Sequence, residues 1–259
     1  MKVLFVGDVV GKPGRVFLCR QLPKLQDEHG IGFTIANAEN LAGGVGATPE
    51  TCEELFRAGV DCLTSGNHIW DKKEIFPYLE REPRLLRPAN YPDSNPGGGV
   101  HIGRSREGVR VAVVNLIGRV FLANVDCPFH AADDILAEIR GQADCVVIDM
   151  HAEATSEKMA LAWHVAGRAA AVIGTHTHVP TADETIFPGG TAYLTDVGMT
   201  GPFRSVIGVE KEQVLERFLT GRPVRMQTAE GDVRLHAAVI DVDPSTGRAT
   251  RIERLTVKE

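Results

Sequence analysis

The sequence predicts an α/β fold, and two observations carry that prediction. Short apolar runs rich in valine and isoleucine recur along the chain and end at Gly, Asn, Asp or His, which is typical of strands buried inside a sheet. Segments with helix-capping residues lie between several of these runs. The 259 residues show no internal repeat or linker, and this length suits one large domain or two small ones. We expect a single domain over residues 1–259.

Seven apolar runs are predicted to be strands of the sheet. They are residues 2–8, 32–40, 60–68, 109–118, 144–151, 168–176 and 191–196. Near the end of the chain, residues 233–243 and 251–257 are predicted to pair as a hairpin, because the turn-forming sequence PSTGR joins them.

Three helices are predicted between these strands. Thr48 is a suitable N-cap, with proline at the first helical position, for a helix that ends at Gly59. Ser156 is predicted to cap a second helix, which ends near Gly167. Residues 133–140 are predicted to form a third helix.

Charge and hydropathy exclude several classes of protein. The formal net charge is -6, so we expect no basic surface for stable nucleic-acid binding. No apolar run approaches the roughly 20 residues that span a bilayer, and the opening sequence MKVLFVGDVVG is typical of a strand rather than a signal peptide. Five cysteines without a C-x-x-C motif favour reduced thiols and a cytoplasmic protein.

The sequence VIGTHTHVPTAD places two histidines, His176 and His178, after an apolar run. A lone histidine in such a place is usually structural, but two histidines separated by one residue are more typical of a metal site. Alternate side chains of a regular strand share a face. In such a strand, the two imidazoles would reach one ion or two adjacent ions.

Other predicted strands also end on polar residues that can bind metals. The whole strand-end series is Asp8, Glu39, Asn40, Asn67, His68, His151, His176 and His178. Ligands of open α/β sheets bind outside the carboxyl ends of the strands, so we expect a shared metal site there. Oxygen and nitrogen donors without thiolates suit iron, manganese, zinc or nickel. The donors are too many for one four-coordinate zinc and sufficient for two bridged ions. Asp71 and Asp183 are candidates for orienting ligand histidines.

Six sequence blocks, taken in order, resemble the calcineurin-like metallophosphoesterases and, more closely, their YmdB-like branch of bacterial phosphodiesterases. The blocks are GDVVG, NAEN, SGNHIWD, DMHAEATSEK, GTHTHVPTAD and TDVGMTGP, and they cover most of the chain. The wider superfamily has D-x-H where Asp8 is followed here by two valines, and it has a bridging aspartate where this chain has Glu39. Both departures resemble the YmdB-like branch. The resemblance implies a four-layer α/β/β/α sandwich.

The resemblance also divides the strand-end residues between two ions. It implies one ion on Asp8, Asn40 and His178, a second on Asn67, His151 and His176, and a bridging carboxylate on Glu39. His68 is implied to act as a general acid beside the ions without binding them. The implied cofactors are two divalent or mixed-valence transition-metal ions, with iron first and manganese or zinc as alternatives.

The implied reaction is hydrolysis of a small phosphodiester, in particular a 2',3'-cyclic nucleotide. A hydroxide bridging the metals would attack phosphorus, and His68 would protonate the departing alkoxide. Two alternatives stay open at this stage. One is a hydrolase of the amidohydrolase type, which also uses H-x-H. The other is a regulatory metalloprotein that binds RNA or protein, with weak or no catalysis. A homo-oligomer is expected from the resemblance alone.

Overall fold

The computed structural model describes residues 1–122 and 124–259. Its strands are β1 Lys2–Val6, β2 Asp8–Val9, β3 Phe33–Asn37, β4 Cys62–Thr64, β5 Val100–Arg104, β6 Arg110–Ile117, β7 Cys145–His151, β8 Ala171–Thr175, β9 Thr185–Phe187, β10 Thr191–Leu194, β11 Met199–Pro202, β12 Val233–Asp243 and β13 Arg248–Lys258. Its helices are α1 Gly11–His29, α2 Pro49–Ala58, α3 Phe76–Leu79, α4 Pro128–Glu138, α5 Thr155–His164 and α6 Lys211–Thr220. Two 3-10 turns span Asn67–Trp70 and Lys73–Ile75.

The strands form two mixed sheets. The first has the order β2-β11-β12-β1-β3-β4, with β13 paired to β12, and its strands β1, β3 and β4 are parallel. The second has the order β5-β6-β7-β8-β10-β9, and its four central strands are parallel. Parallel strands bring their carboxyl ends to one edge of a sheet, so each sheet delivers several strand ends to a single region.

Alternation of apolar side chains along the strands produces three apolar layers. In β1, Val3 and Phe5 point between the two sheets, whereas Leu4 and Val6 point toward α1 and α2. Strand β6 alternates in the same way between the layer shared by the sheets and the layer under α4 and α5. Two sheets with helices on both outer faces make the four-layer α/β/β/α sandwich, and the predicted fold class is confirmed.

The strand predictions are confirmed, since every predicted run contains a strand and the terminal hairpin pairs β12 with β13. The helix that starts after Thr48 is also confirmed. The Thr48 hydroxyl accepts from the Thr51 N–H, and the Thr51 hydroxyl accepts in return from the Thr48 N–H. Gly59 ends this helix in the left-handed conformation, with φ 105°. This pair of reciprocal bonds satisfies two donors that a helix start would otherwise leave free.

Two helix boundaries were predicted wrongly. Helix α5 starts at Thr155 after Ala154, without a side-chain cap, so Ser156 lies inside the helix and does not cap it. Helix α4 begins at Pro128 rather than at residue 133, because proline at the first helical position is already suited to helical φ. Among the described residues, no helix combines the length and the apolar character needed to cross a membrane.

Helix α1 was not predicted, because glycines and prolines interrupt its sequence. Pro13 lies in the first turn, where no backbone N–H is needed, and Pro23 is tolerated further along the helix. A Cβ atom on Gly14 would lie 2.2 Å from the carbonyl oxygen of Thr200 in β11. This glycine therefore permits close packing of α1 on the sheet, and a helix-breaking residue in the sequence is a packing residue in the fold.

Candidate metal centre

The carboxyl ends of β1, β3, β4, β7 and β8 meet at one place in the sandwich. Each of these strands ends at, or just before, at least one residue of the predicted strand-end series. The structure brings all eight predicted residues into one cluster. The cluster lies under a cavity of about 420 Å³. It contains two groups of donor atoms that have a single carboxylate in common.

The first group consists of Glu39, His151 and His176, with Asn67 beside it. The Nε2 atom of His151 lies 3.2 Å from Glu39 Oε1, 3.1 Å from His176 Nδ1 and 3.3 Å from Asn67 Oδ1. Four donor atoms thus converge on one small volume from four different strand ends. The family resemblance implies the same set for the second ion, with Glu39 as the bridge.

The second group consists of Asp8, Glu39 and His178, with Asn40 beside it. His178 Nε2 lies 4.0 Å from Asp8 Oδ1 and 3.2 Å from Asn40 Oδ1. Glu39 belongs to both groups, and in each group the donor atoms lie within 4.8 Å of one another. A carboxylate shared in this way has the position required of a bridge between two cations.

These residues fit a pair of metal ions. Asp8 Oδ1 is buried without a hydrogen-bond partner among the described residues, and a buried carboxylate oxygen is costly unless a cation or donor satisfies it. Gly66 keeps the cluster open, because a Cβ atom there would lie 2.1 Å from His151 Nε2 and 2.3 Å from Glu39 Oε2. Exclusively oxygen and nitrogen donors suit a transition-metal dication.

The charges of the cluster support the same conclusion. Burial raises the pKa of Asp8 to about 7, which shows how poorly the protein alone accommodates its negative charge. Burial would also raise the pKa of Glu39, but the neighbouring histidines His151, His68 and His176 together outweigh burial and lower it to about 2. Likewise, burial would lower the pKa of His151, but the carboxylates of Glu39, Asp8 and Asp149 together raise it to about 9. A proton on His151 therefore supplies positive charge that a cation would supply instead, and metal binding would release that proton.

The two histidines of the H-x-H motif do not lie in a strand, so the prediction of a shared strand face was wrong. Strand β8 ends at Thr175, and His176 and His178 lie in the following turn with φ values of 100° and 65°. Left-handed conformations are uncommon for residues other than glycine, and they cluster at functional sites. The turn directs the two imidazoles into different groups.

A buried ion pair anchors this H-x-H turn, residues 176–178. Asp196 accepts the backbone N–H of Thr177 at 3.1 Å and that of Gly198 at 2.9 Å. The ammonium group of Lys158 donates to the same carboxylate at 2.8 Å, and both side chains are almost completely buried. This pair was not predicted from the sequence. The only signal was a charged residue at the end of one apolar run and another inside a predicted helix.

A chain of hydrogen bonds orients His151 through its Nδ1 atom. The hydroxyls of Thr64 and Thr175 and the amide of Asn37 all donate to the buried carboxylate of Asp149. Because the Thr175 hydroxyl donates to Asp149 at 2.7 Å, its oxygen accepts from His151 Nδ1 at 2.9 Å. In the neutral imidazole the proton is thereby held on Nδ1, and Nε2 is left free to bind a metal ion. Asp149 was not predicted as a site residue either, although a carboxylate inside an apolar run is a signal.

Replacing Asp149 with asparagine is expected to weaken metal binding about 10–100-fold. The new amide would donate to Thr175, whose hydroxyl would then turn to His151 Nδ1 and favour the tautomer protonated on Nε2. Metal titration measures the affinity, and imidazole ¹⁵N NMR of the metal-free protein, recorded above the His151 pKa of about 9 where the ring is neutral, reports the tautomer. Asp133→Asn is a matched control on the exposed pair with His164. Unchanged affinity and an unchanged tautomer in Asp149→Asn would contradict this assignment.

His68 lies at the edge of the cluster in the turn Asn67–Trp70. Its backbone N–H donates to Glu39 Oε2 at 3.2 Å, and its Nδ1 lies 2.6 Å from Asp71 Oδ2. The ring belongs to neither ligand group and lines the cavity above them. Asp71 thus orients His68 rather than a ligand histidine. Asp183 contacts Thr195 instead of a histidine, so its predicted role was wrong.

Glu153 is a further acidic residue on the wall of this cavity. Its Oε2 lies 3.2 Å from His176 Nε2, on the ring nitrogen opposite the one that faces His151. A carboxylate on the second ring nitrogen fixes the orientation of a ligand histidine. Glu153 therefore has the contact expected of a residue that orients His176.

The sandwich and the donor cluster at its strand ends are those of a metallophosphoesterase. The chain belongs to the YmdB-like protein family, whose model matches residues 4–255. It is 49% identical over 259 residues to the 2',3'-cyclic-nucleotide 2'-phosphodiesterase of Bacillus subtilis strain 168, covering all of this chain and 98% of that protein.

Two solved structures have the same fold over the full length of this chain. One is a hypothetical protein from Thermus thermophilus, with 46% identity, a TM-score of 0.94 and complete coverage of both chains. The other is described as a novel phosphatase of Mycoplasma pneumoniae, with 33% identity, a TM-score of 0.93 and 93% coverage of that chain. The resemblance stated from the sequence is therefore confirmed.

Proposed function

We propose that this chain is a metal-dependent phosphodiesterase that hydrolyses 2',3'-cyclic nucleotides. The observation that carries the proposal is the pair of donor groups that share Glu39 under an open cavity. The relative in Bacillus subtilis, named as a phosphodiesterase of this kind, supports the substrate class. It also gives no support to the alternative of a regulatory protein without catalysis.

The donor set divides between two ions in this proposal. Asp8, Asn40 and His178 would hold one ion, Asn67, His151 and His176 would hold the other, and Glu39 would be shared by both. When bound, two such ions neutralise the charge of a phosphodiester and make a water nucleophilic near neutral pH. We propose iron, because of the family resemblance, and the same donors would accept manganese or zinc.

The chain's own residues have three tasks in the reaction. Only Asp8 and Glu39 bring negative charge to the donor set, so the neutral amides and imidazoles leave much of the metal charge available to the substrate. Asp71 holds the His68 ring in place through Nδ1. His68 then donates a proton to the oxygen that leaves phosphorus, as a general acid.

The first test measures metal content and turnover of 2',3'-cyclic AMP on one sample purified without added metal. About two ions per chain and activity that a chelator abolishes are the expected results. Asp8→Asn should lose metal and turnover together, because it halves the negative charge of its donor group. Two ions without turnover would contradict the substrate. No metal, and none taken up on adding iron or manganese, would contradict the ligand assignment.

Three further expectations belong to this proposal. Residues 1–259 act as one metallophosphoesterase domain, because the apolar layer between the sheets draws side chains from both. A cytoplasmic location is supported by the five cysteines, all of which are free thiols. A homo-oligomer stays a prediction, which measurement of the molar mass in solution would test.

A further inference from the structure

A second cavity, of about 300 Å³, opens beside the metal centre. It shares Asn40, His68, His178 and Ile207 with the cavity above the donor groups. Val45 and Ile207 contribute half-exposed apolar side chains, 40% and 50% accessible, to its walls. A group bound in this second cavity would therefore be continuous with a phosphate bound at the metal centre.

Ile207 occupies an unfavourable position in a tight turn. Val206 and Val209 exchange backbone hydrogen bonds of 2.9 and 3.0 Å across the turn. The two residues between them, Ile207 and Gly208, have φ values of 48° and 96°. Positive φ at both central residues is the pattern of a type I′ turn, which favours Asn-Gly. A β-branched residue at positive φ is an outlier that demands an explanation.

The backbone of Ile207 does not explain the choice of residue. Its carbonyl oxygen accepts from His178 Nδ1 at 2.9 Å, which leaves Nε2 of that histidine as the ligand atom. Asparagine or glycine would present the same carbonyl without the strain. The reason for having isoleucine at this strained position must therefore lie in its side chain. That side chain is half exposed and lines both cavities.

We propose that Ile207 and Val45 form an apolar subsite for the base and sugar of a nucleotide whose phosphate lies at the metal centre. This inference rests on the proposed function and deepens it. Apolar contacts are not directional, so these two side chains should distinguish poorly between one base and another. They should distinguish more strongly between a nucleotide and a phosphodiester that has no base. Local strain at this turn is retained for substrate binding, at the expense of stability.

The test compares Ile207→Asn with the unaltered protein on two five-membered cyclic phosphates, 2',3'-cyclic AMP and base-free glycerol 1,2-cyclic phosphate. We expect kcat/KM for 2',3'-cyclic AMP, divided by kcat/KM for glycerol 1,2-cyclic phosphate, to fall about tenfold in Ile207→Asn. The reason is that the apolar contact acts on the nucleotide alone. We also expect Tm to rise by about 2–4 °C, because asparagine accepts the left-handed conformation. A side chain with a purely structural role would lower Tm when removed.

Val206→Asn is the matched control. Val206 lies in the same turn and is 36% exposed, but it lines neither cavity. Its replacement should leave the ratio unchanged. Hydrolysis of both compounds with the same ratio in Ile207→Asn would overturn the subsite and leave the proposed function standing. Hydrolysis of neither compound by the unaltered protein would overturn the proposed function, and the subsite with it.

Discussion

Replacing His68 with alanine is expected to lower kcat for 2',3'-cyclic AMP by about 10²–10⁴-fold while metal content stays at the level of the unaltered protein. The ring of His68 belongs to neither donor group, so its loss removes no ligand atom. Its Nδ1 is engaged by Asp71, which holds the ring at the wall of the cavity where a leaving oxygen would be protonated.

The dependence on the leaving group separates general acid catalysis from a general disturbance of the site. An alkoxide is a poor leaving group and needs the proton, whereas a nitrophenolate departs without one. His68→Ala should therefore lose much less activity on bis(p-nitrophenyl) phosphate than on 2',3'-cyclic AMP. Equal losses on the two substrates, or a loss of metal, would show that His68 acts through the structure of the cluster instead.

Two variants serve as controls for His68→Ala. Asp71→Asn keeps the imidazole but replaces the carboxylate that orients it, so we expect a smaller loss with the same dependence on the leaving group. His164→Ala removes another half-exposed histidine that is paired with an aspartate, Asp133, at 2.9 Å. His164 lies at the end of α5 and outside the cavity, so its replacement should leave turnover unchanged.

The fold was predictable from the sequence because its central strands are short and apolar and end at polar residues. The same polar residues located the cluster, since the carboxyl ends of the strands in a parallel sheet converge. Glu39 shows the limit of this reasoning. Its position at the end of β3 was readable, but its membership of both donor groups depends on how the two sheets face each other, and no pattern along one strand contains that information.

The parts that were missed depend on contacts distant in sequence or on backbone conformation. Periodicity placed His176 and His178 on one strand face, whereas the chain leaves the strand at Thr175 and turns through left-handed conformations. Asp149 lies in an apolar strand, and its partners come from three other segments of the chain. The sequence around such residues carries no signal of their contacts, which form only when the two sheets pack together.

Replacing Lys158 with methionine is expected to lower the free energy of unfolding by about 3–5 kcal/mol, because it leaves the buried carboxylate of Asp196 without its counter-charge. Both side chains are almost completely buried, and the two charged groups are 2.8 Å apart. Chemical denaturation of the metal-free protein measures the loss. Arg254→Met is the matched control, since its pair with Glu184 lies at the surface, at 2.6 Å, and should contribute less than about 1 kcal/mol.

The double variant Lys158→Met/Asp196→Leu separates stability from the role of the pair in the site. Replacing both charges by apolar side chains removes the unpaired carboxylate, so part of the lost stability should return. Metal affinity should fall in the double variant, because Thr177 N–H has then lost the acceptor that holds the strained H-x-H turn. Metal titration beside denaturation measures both quantities on the same samples. Metal affinity equal to that of the unaltered protein in the double variant would show that the turn keeps its shape without Asp196.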